Sequence, residues 1–200
     1  MKQPYSAAAA RNSQPIFRVL QQILPESGQG LEVASGTGQH VVYFASRLPG
    51  VVWQPSERDP QRLDGLRANI VASGLDNIQE PVALNVISDW PELTADAVYV
   101  ANLLHISIPD ALPGLMRGAA NVLTPTGQLL VYGPFKQNGE HTSEGNVAFD
   151  RSLRAEHADW GIRDMESVSL AAQQHGLYLQ EVFNMPANNF LLRFSRSRQD

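Results

Sequence analysis

Two carboxylates and two glycines stand at a spacing suited to a nucleotide-like ligand. The stretch "LEVASGTGQH", residues 31–40, ends a short apolar run at Glu32 and its neighbour, then turns through Gly36 and Gly38. Loops of this kind hold nucleoside triphosphates, dinucleotides or S-adenosylmethionine, or are plain tight turns. A triphosphate loop needs Gly-Lys-Ser/Thr after its glycines. Here Gln39 and His40 follow Gly38, which excludes that class. A dinucleotide fingerprint needs a third glycine three residues after the second, and that place is Val41. In "WQPSERD", Glu57 lies nineteen residues beyond Gly38. A carboxylate there can accept hydrogen bonds from both hydroxyls of a ribose. Asp59 is the alternative for that role.

The loop resembles the Asp/Glu-x-Gly-x-Gly-x-Gly segment of S-adenosylmethionine-dependent methyltransferases. Glu32 is the acid, Ala34 and Ser35 open the turn, and Gly36 and Gly38 match the later glycines. Glycine lets the backbone pass close to a ligand; Ala34 departs from the pattern but is small. Further candidates follow at successive strand ends. Asn85, with Val86 beside it, can pair with an adenine edge, because an amide both donates and accepts. Trp90 can wall the adenine. In "ANLLHIS", Asn102 and His105 fall near the expected methyl position. If Glu57 serves only the ribose, its removal should weaken cofactor binding and leave folding unchanged.

These residues need a scaffold that brings strand ends together. "SQPIFRVLQQIL" carries Ile16, Val19, Leu20, Ile23 and Leu24 on one helical stripe, with Ser13 as cap and Pro15 in the first turn. Strands at "GLEVA", "VVWQP", "VALNV", "DAVYVAN" and "GQLLVYG" then alternate with helical segments. That alternation predicts an α/β fold with a parallel sheet and helices on both faces. The ending differs: after the helix "MESVSLAAQQHG", the strands "LYLQEVF" and "FLLRFSR" are joined only by "NMPANN". So short a link makes an antiparallel hairpin. A seven-stranded, mostly parallel sheet closed by such a hairpin is the Rossmann-like layout of class I methyltransferases. A single domain over residues 1–200 accommodates it.

Composition narrows the partners. The chain is 43% hydrophobic and 18% charged, with a net charge of −5 and no cysteine. Disulfides, thiolate metal sites and a cysteine nucleophile are excluded. No apolar run approaches the roughly 20 residues of a membrane span, and the N-terminal segment lacks a signal-peptide core; the expectation is a cytoplasmic protein that does not engage membranes. The acidic balance, and the lack of an Asn/Asp-Pro-Pro-Tyr/Phe segment after the fourth strand, argue against nucleic acid. The histidines at 40, 105, 141, 157 and 175 form no metal-ligand spacing. Nothing in the sequence sets the oligomeric state or the substrate.

"RNSQPIFRVL", "LEVASGTGQH", "WQPSERD", "ANLLHIS", "YGPFKQNGEHTSEGNVAFDRSLR", "WGIRD" and "MPANNF" together resemble the signature segments of an uncharacterised family of methyltransferase-like proteins. That family, domain of unknown function 938, includes the animal methyltransferase-like protein twenty-six. The resemblance covers nearly the whole chain. It implies a class I fold with S-adenosylmethionine as cofactor and no particular substrate; the main expectation is a methyltransferase acting on a small molecule. The alternatives are a non-catalytic cofactor-binding protein working through a partner, an RNA or protein methyltransferase, and a dehydrogenase. The resemblance draws attention to Arg11 and Asn12, placed ahead of the first helix, where a guanidinium can clamp the cofactor's carboxylate. His105 and Asp150 are the candidate bases, with Tyr132 and Lys136 to orient an acceptor. Residues 134–163 exceed an ordinary connection and read as a lid over the acceptor. Phe135, Arg154 and Arg163, with Asn188 and Asn189 on the hairpin turn, would then face an anionic or strongly polar acceptor. Asp150 and Arg154, four apart, can equally pair on one helix.

Overall fold

In the computed structural model, which describes residues 6–197, the chain runs α1 (Ala7–Ile23), β1 (Gly28–Val33), α2 (Gln39–Ala45), β2 (Val51–Glu57), α3 (Pro60–Ser73), β3 (Val82–Ala83), β4 (Ala95–Ala101), α4 (Ala111–Val122) and β5 (Leu123–Gly133). It continues through β6 (Phe135–Gln137), β7 (Glu140–His141), α5 (Glu144–Glu156), β8 (Arg163–Asp164), α6 (Met165–Gln173), β9 (Tyr178–Met185) and β10 (Asn189–Ser195). The expected unit of residues 1–200 extends beyond the described residues at both ends.

Seven strands form one sheet in the order β3-β2-β1-β4-β5-β10-β9. β1, β2, β3, β4 and β5 pair in parallel, while β10 runs antiparallel to both β5 and β9. This is the layout the alternating pattern predicts. Side chains of successive strand residues leave on opposite faces, so each strand feeds two cores. Val98, Val100, Leu129, Val131 and Leu192 pack under α4 and α6. Their neighbours Tyr99, Leu130, Tyr132 and Leu191 pack under α1, α2 and α3. No helix among the described residues is long and apolar enough to cross a membrane.

Two local expectations are corrected. α1 starts at Ala7, capped by Ser6, whose hydroxyl accepts from the Ala9 N–H at 3.2 Å. The run Ala7–Ala10 carries the highest helix propensity and extends the helix past Ser13, which instead donates to the Ala9 carbonyl. Arg11 and Asn12 therefore lie within the helix. Pro15 sits inside it too and offers no N–H to the carbonyl of Arg11. The third strand is shorter than "VALNV": only Val82 and Ala83 pair, and Asn85 turns the chain, its side-chain oxygen accepting from the Ile87 N–H. Residues 134–163 carry regular structure of their own. β6, β7 and β8 make a small three-stranded sheet, with β6 central and β8 parallel to it, and α5 fills most of the remainder.

Candidate functional site

The carboxyl ends of β1 and β2 are stitched into one rim. Ser35 N–H donates to the Ser56 carbonyl at 2.7 Å, and both serine hydroxyls donate to the Glu32 carbonyl. Gly38 N–H closes the turn onto Ser35. Gly38 has φ 78°, and a Cβ there would lie 2.7 Å from Leu66, so both conformation and packing require glycine. Gly36, at φ 56°, faces open space. Ala34 takes the left-handed region at φ 57°, a conformation that costs a non-glycine residue roughly 1 kcal/mol or more. Crowding is thus not the issue at Ala34; backbone strain is.

Glu57 closes this rim. It is buried, and its carboxylate accepts from the N–H groups of Gly36 (3.2 Å), Arg58 (2.8 Å) and Asp59 (3.2 Å). Asp59 is committed elsewhere: it caps α3 by accepting from Gln61. Trp90 does not reach this rim. Its indole lies against Gly118 of α4 and lines a separate hollow of about 530 Å³ with Arg117. Val86 packs into the core beneath α4.

Glu32 is 2% exposed, and its Oε2 has no hydrogen-bond partner among the described residues. Burial, opposed weakly by Ser35, pushes its pKa up to about 8. His40 lies 3.8 Å away. The His40 Nε2 donates to Asn12 Oδ1 at 2.6 Å, since an amide oxygen only accepts. Its Nδ1 faces Glu32 and the Tyr99 hydroxyl at 3.5 Å. Burial lowers the His40 pKa to about 4. The cluster is therefore neutral at pH 7. The Tyr132 hydroxyl faces Asn12, and its pKa is raised, chiefly by burial.

Beyond Tyr132 opens a cavity of about 790 Å³ at the carboxyl ends of β4 and β5. The structure brings Arg11, Asn12, Asn102, His105, Tyr132, Asn188 and Asn189 together around it. Asn102 adopts φ 59° and, with the His105 ring, flanks Gly133. Burial, then the nearby Arg163 charge, lowers the His105 pKa to about 4. Arg11 is exposed at the cavity and has no ion-pair partner among the described residues. Ser143, Asn146 and Phe149 of the α5 segment also line the cavity, and Asn146 donates to the Asn188 carbonyl at 3.1 Å. The sequence reading missed these three. Their signal was present: Ser143, Asn146 and Phe149 recur every third residue, one face of a helix.

Five predicted residues are placed elsewhere. Phe135 is 2% exposed in the core under α4 and α6. Lys136 and Arg163 line another hollow, of about 460 Å³. The Arg163 guanidinium donates to the carbonyls of Leu104, Ser107 and Asp159. Asp150 does not line the 790 Å³ cavity either. It accepts from the Ile162 N–H at 2.6 Å and from Arg154 at 3.0 Å, with Lys136 at 3.8 Å and His141 at 3.5 Å. Burial raises its pKa, but Ile162, Arg154 and Lys136 outweigh that and hold it below the usual carboxylate range. A carboxylate so occupied is a fastener rather than a base. Arg154 belongs to that fastener, as the four-residue spacing allows. Asp150→Ala should cost about 1.5–3 kcal/mol, the range for charged hydrogen bonds. Urea denaturation measures the loss, and hydrogen exchange should localise faster opening to residues 134–163.

Solved structures of similar shape are methyltransferases. An O-methyltransferase family protein from Burkholderia thailandensis superposes with a TM-score of 0.81 at 19% identity, over 96% of this chain and 58% of that one. The mitomycin 7-O-methyltransferase MmcR gives 0.80 at 17% identity, over 94% and 55%. CalO1, a methyltransferase in calicheamicin biosynthesis, gives 0.76 at 16%, over 95% and 54%. This chain spans about half the length of each. At such identities the likeness establishes the methyltransferase fold. Over residues 3–196 the sequence itself matches one family model, and the chain belongs to that family, described as protein of unknown function DUF938.

Proposed function

We propose that this protein binds S-adenosylmethionine across the carboxyl ends of β1 and β2 and methylates a small molecule held in the neighbouring cavity. The observation that carries this reading is the Glu57 carboxylate, held by three backbone N–H groups beside the left-handed Gly36. Those bonds use three of its roughly four acceptor sites and leave one, on Oε2, for a ligand hydroxyl. The orphaned Glu32 Oε2 is a second fit: a buried acceptor without a donor suits the cofactor's ammonium group. CalO1 and PigF were both solved with S-adenosylhomocysteine, which supports the same ligand here.

When bound, the cofactor supplies a methyl group activated on a sulfonium. The chain's own residues must hold, orient and accept a proton. Glu57 would accept from one ribose hydroxyl, and Arg11 would take the carboxylate. The Asn85 oxygen is used in its own turn, leaving its NH₂ to donate to the adenine edge. The backbone of Ala34, Ser35, Gly36 and Gly38 passes beside the ligand. Across the cavity, Asn102 and Tyr132 would orient the acceptor and His105, neutral at pH 7, would take its proton. α5 and the hairpin turn, joined by the Asn146–Asn188 hydrogen bond, form the lid.

Calorimetry with S-adenosylmethionine, S-adenosylhomocysteine and the two nicotinamide dinucleotides tests the reading. The first two should bind and the dinucleotides should not; binding of a dinucleotide alone overturns the assignment. Glu57→Ala should cost about 1.5–3 kcal/mol of cofactor affinity. The same change leaves three backbone donors unpaired, so the ligand-free protein should lose about 1–3 kcal/mol as well. The sequence-level expectation of unchanged folding is replaced accordingly, and denaturation without ligand separates the two effects.

A further inference from the structure

The charges expected to greet an anionic acceptor are consumed inside the fold. Lys136 and Arg154 surround Asp150, and Arg163 is spent on three carbonyls. We propose that the cavity takes an uncharged, planar acceptor, and that the atom methylated is a phenolic or enolic oxygen. This deepens the methyltransferase reading and rests on it.

Three observations converge. Among the described residues no carboxylate side chain lines the cavity. An amine acceptor, cationic at neutral pH, would be desolvated there with no counter-charge. Among the described residues the one cation that lines it is Arg11, and a carboxylate acceptor would compete with the cofactor for that guanidinium. The remaining polar groups toward α5 and the hairpin turn are neutral: Ser143, Asn146, Asn188 and Asn189. Such a set satisfies carbonyls and hydroxyls without charge pairing.

Shape agrees with charge. The Phe149 ring is 40% exposed and meets the His105 ring edge to face, 5.4 Å between centroids. A flat acceptor stacked on Phe149 would present a ring hydroxyl to the imidazole. Neither ring nitrogen of His105 has a hydrogen-bond partner among the described residues, and burial keeps the ring unprotonated at neutral pH. The step balances. The acceptor oxygen bonds to the methyl carbon, and the carbon–sulfur bond breaks with its electron pair left on sulfur. The hydroxyl proton passes to His105 and then to water. One cationic sulfonium and one neutral hydroxyl yield a thioether, a methyl ether and one proton. A phenol or enol is acidic enough to share its proton with an imidazole in that step; an aliphatic alcohol is far weaker.

The test uses three probes of one shape: 2-naphthol, 2-naphthoate and 2-naphthylmethylamine. Calorimetry first establishes whether S-adenosylhomocysteine binds; if it does not, the methyltransferase reading fails, independently of the acceptor. Binding of each probe to the S-adenosylhomocysteine-loaded protein is then followed by ligand-observed NMR, and labelled-methyl transfer is measured with S-adenosylmethionine. The expected result is a preference for naphthol of about tenfold or more over both charged probes, equivalent to about 1.4 kcal/mol. Phe149→Ala, which removes the ring all three probes would stack on, should weaken naphthol binding about tenfold or more while leaving cofactor affinity unchanged. Equal or better binding of the naphthoate or the amine overturns the proposal, as does loaded protein that takes up no naphthol.

Discussion

Glu32→Gln should make the ligand-free protein more stable at pH 7, by about 3 kcal/mol, while weakening its hold on the cofactor. The carboxyl is buried with a pKa near 8. The unfolded chain ionises near pH 4.5, so between these values folding takes up a proton. A raised acid pKa contributes fully below the unfolded value and its contribution is lost as pH climbs through the folded value. At pH 7 the gap of about 2.5 units corresponds to about 3 kcal/mol. Glutamine is nearly isosteric with the protonated acid and carries no such proton. His40 and His105 have the opposite sign. Their folded pKa values, near 4, lie below the ordinary 6.5. Their contribution is whole above pH 6.5 and is lost as pH falls through 4. Two histidines outweigh one carboxyl between pH 4.5 and 6.5, so stability should rise there, peak near pH 6.5 and decline toward 8. Glu32→Gln should erase the decline. Thermal and urea unfolding across pH 4–9 reads this directly. The same proton governs the ligand. If the ammonium pairs with ionised Glu32, affinity should grow with pH between about 6 and 8, approaching tenfold per unit, and level off above. In the glutamine variant affinity should be weak and flat. A pH-independent affinity in the wild type would sever Glu32 from the cofactor.

His105→Ala should reduce methyl transfer by about 10²–10⁴-fold, the usual contribution of a positioned base, and leave S-adenosylhomocysteine affinity unchanged. The imidazole stands at the cavity against Phe149, while its own backbone carbonyl, retained in the variant, accepts from Gly161. The pH profile separates this role from simple packing. An exposed histidine base would lose activity below its ordinary pKa of about 6.5. His105 stays neutral to about pH 4, so kcat at saturating cofactor should be flat from pH 5 to 8. His105→Phe, which keeps the volume and loses the nitrogens, should fail as the alanine variant does. Full activity in the phenylalanine variant would reduce the residue to a wall.

The glycine loop, Glu57 and the alternation of strand and helix were legible because each depends on local rules. A turn with φ above zero selects glycine, a parallel strand followed by its helix imposes a period, and a six-residue link allows only a hairpin. The strand ends and their order therefore followed from the sequence, and with them the neighbourhood of Glu32, Asn102, His105 and Tyr132. Residue type did not reveal which charged groups reach the cavity. Lys136, Asp150, Arg154 and Arg163 sit in a segment whose position depends on β6 pairing with β8 across 27 intervening residues. That long-range pairing turns Asp150 inward to fasten the lid and leaves the neutral Asn146 and Phe149 on the cavity side.

The sequence alone determined the fold, the strand-end positions of the candidate site and the lack of thiolates, because these rest on backbone conformation and residue inventory. The tertiary structure decided the charge of the site. Burial made Glu32 a protonated acid and His40 and His105 neutral rings, and pairing inside the fold spent Lys136, Arg154 and Arg163. Desolvation and pairing are properties of what surrounds a group, and no single residue or its spacing encodes them.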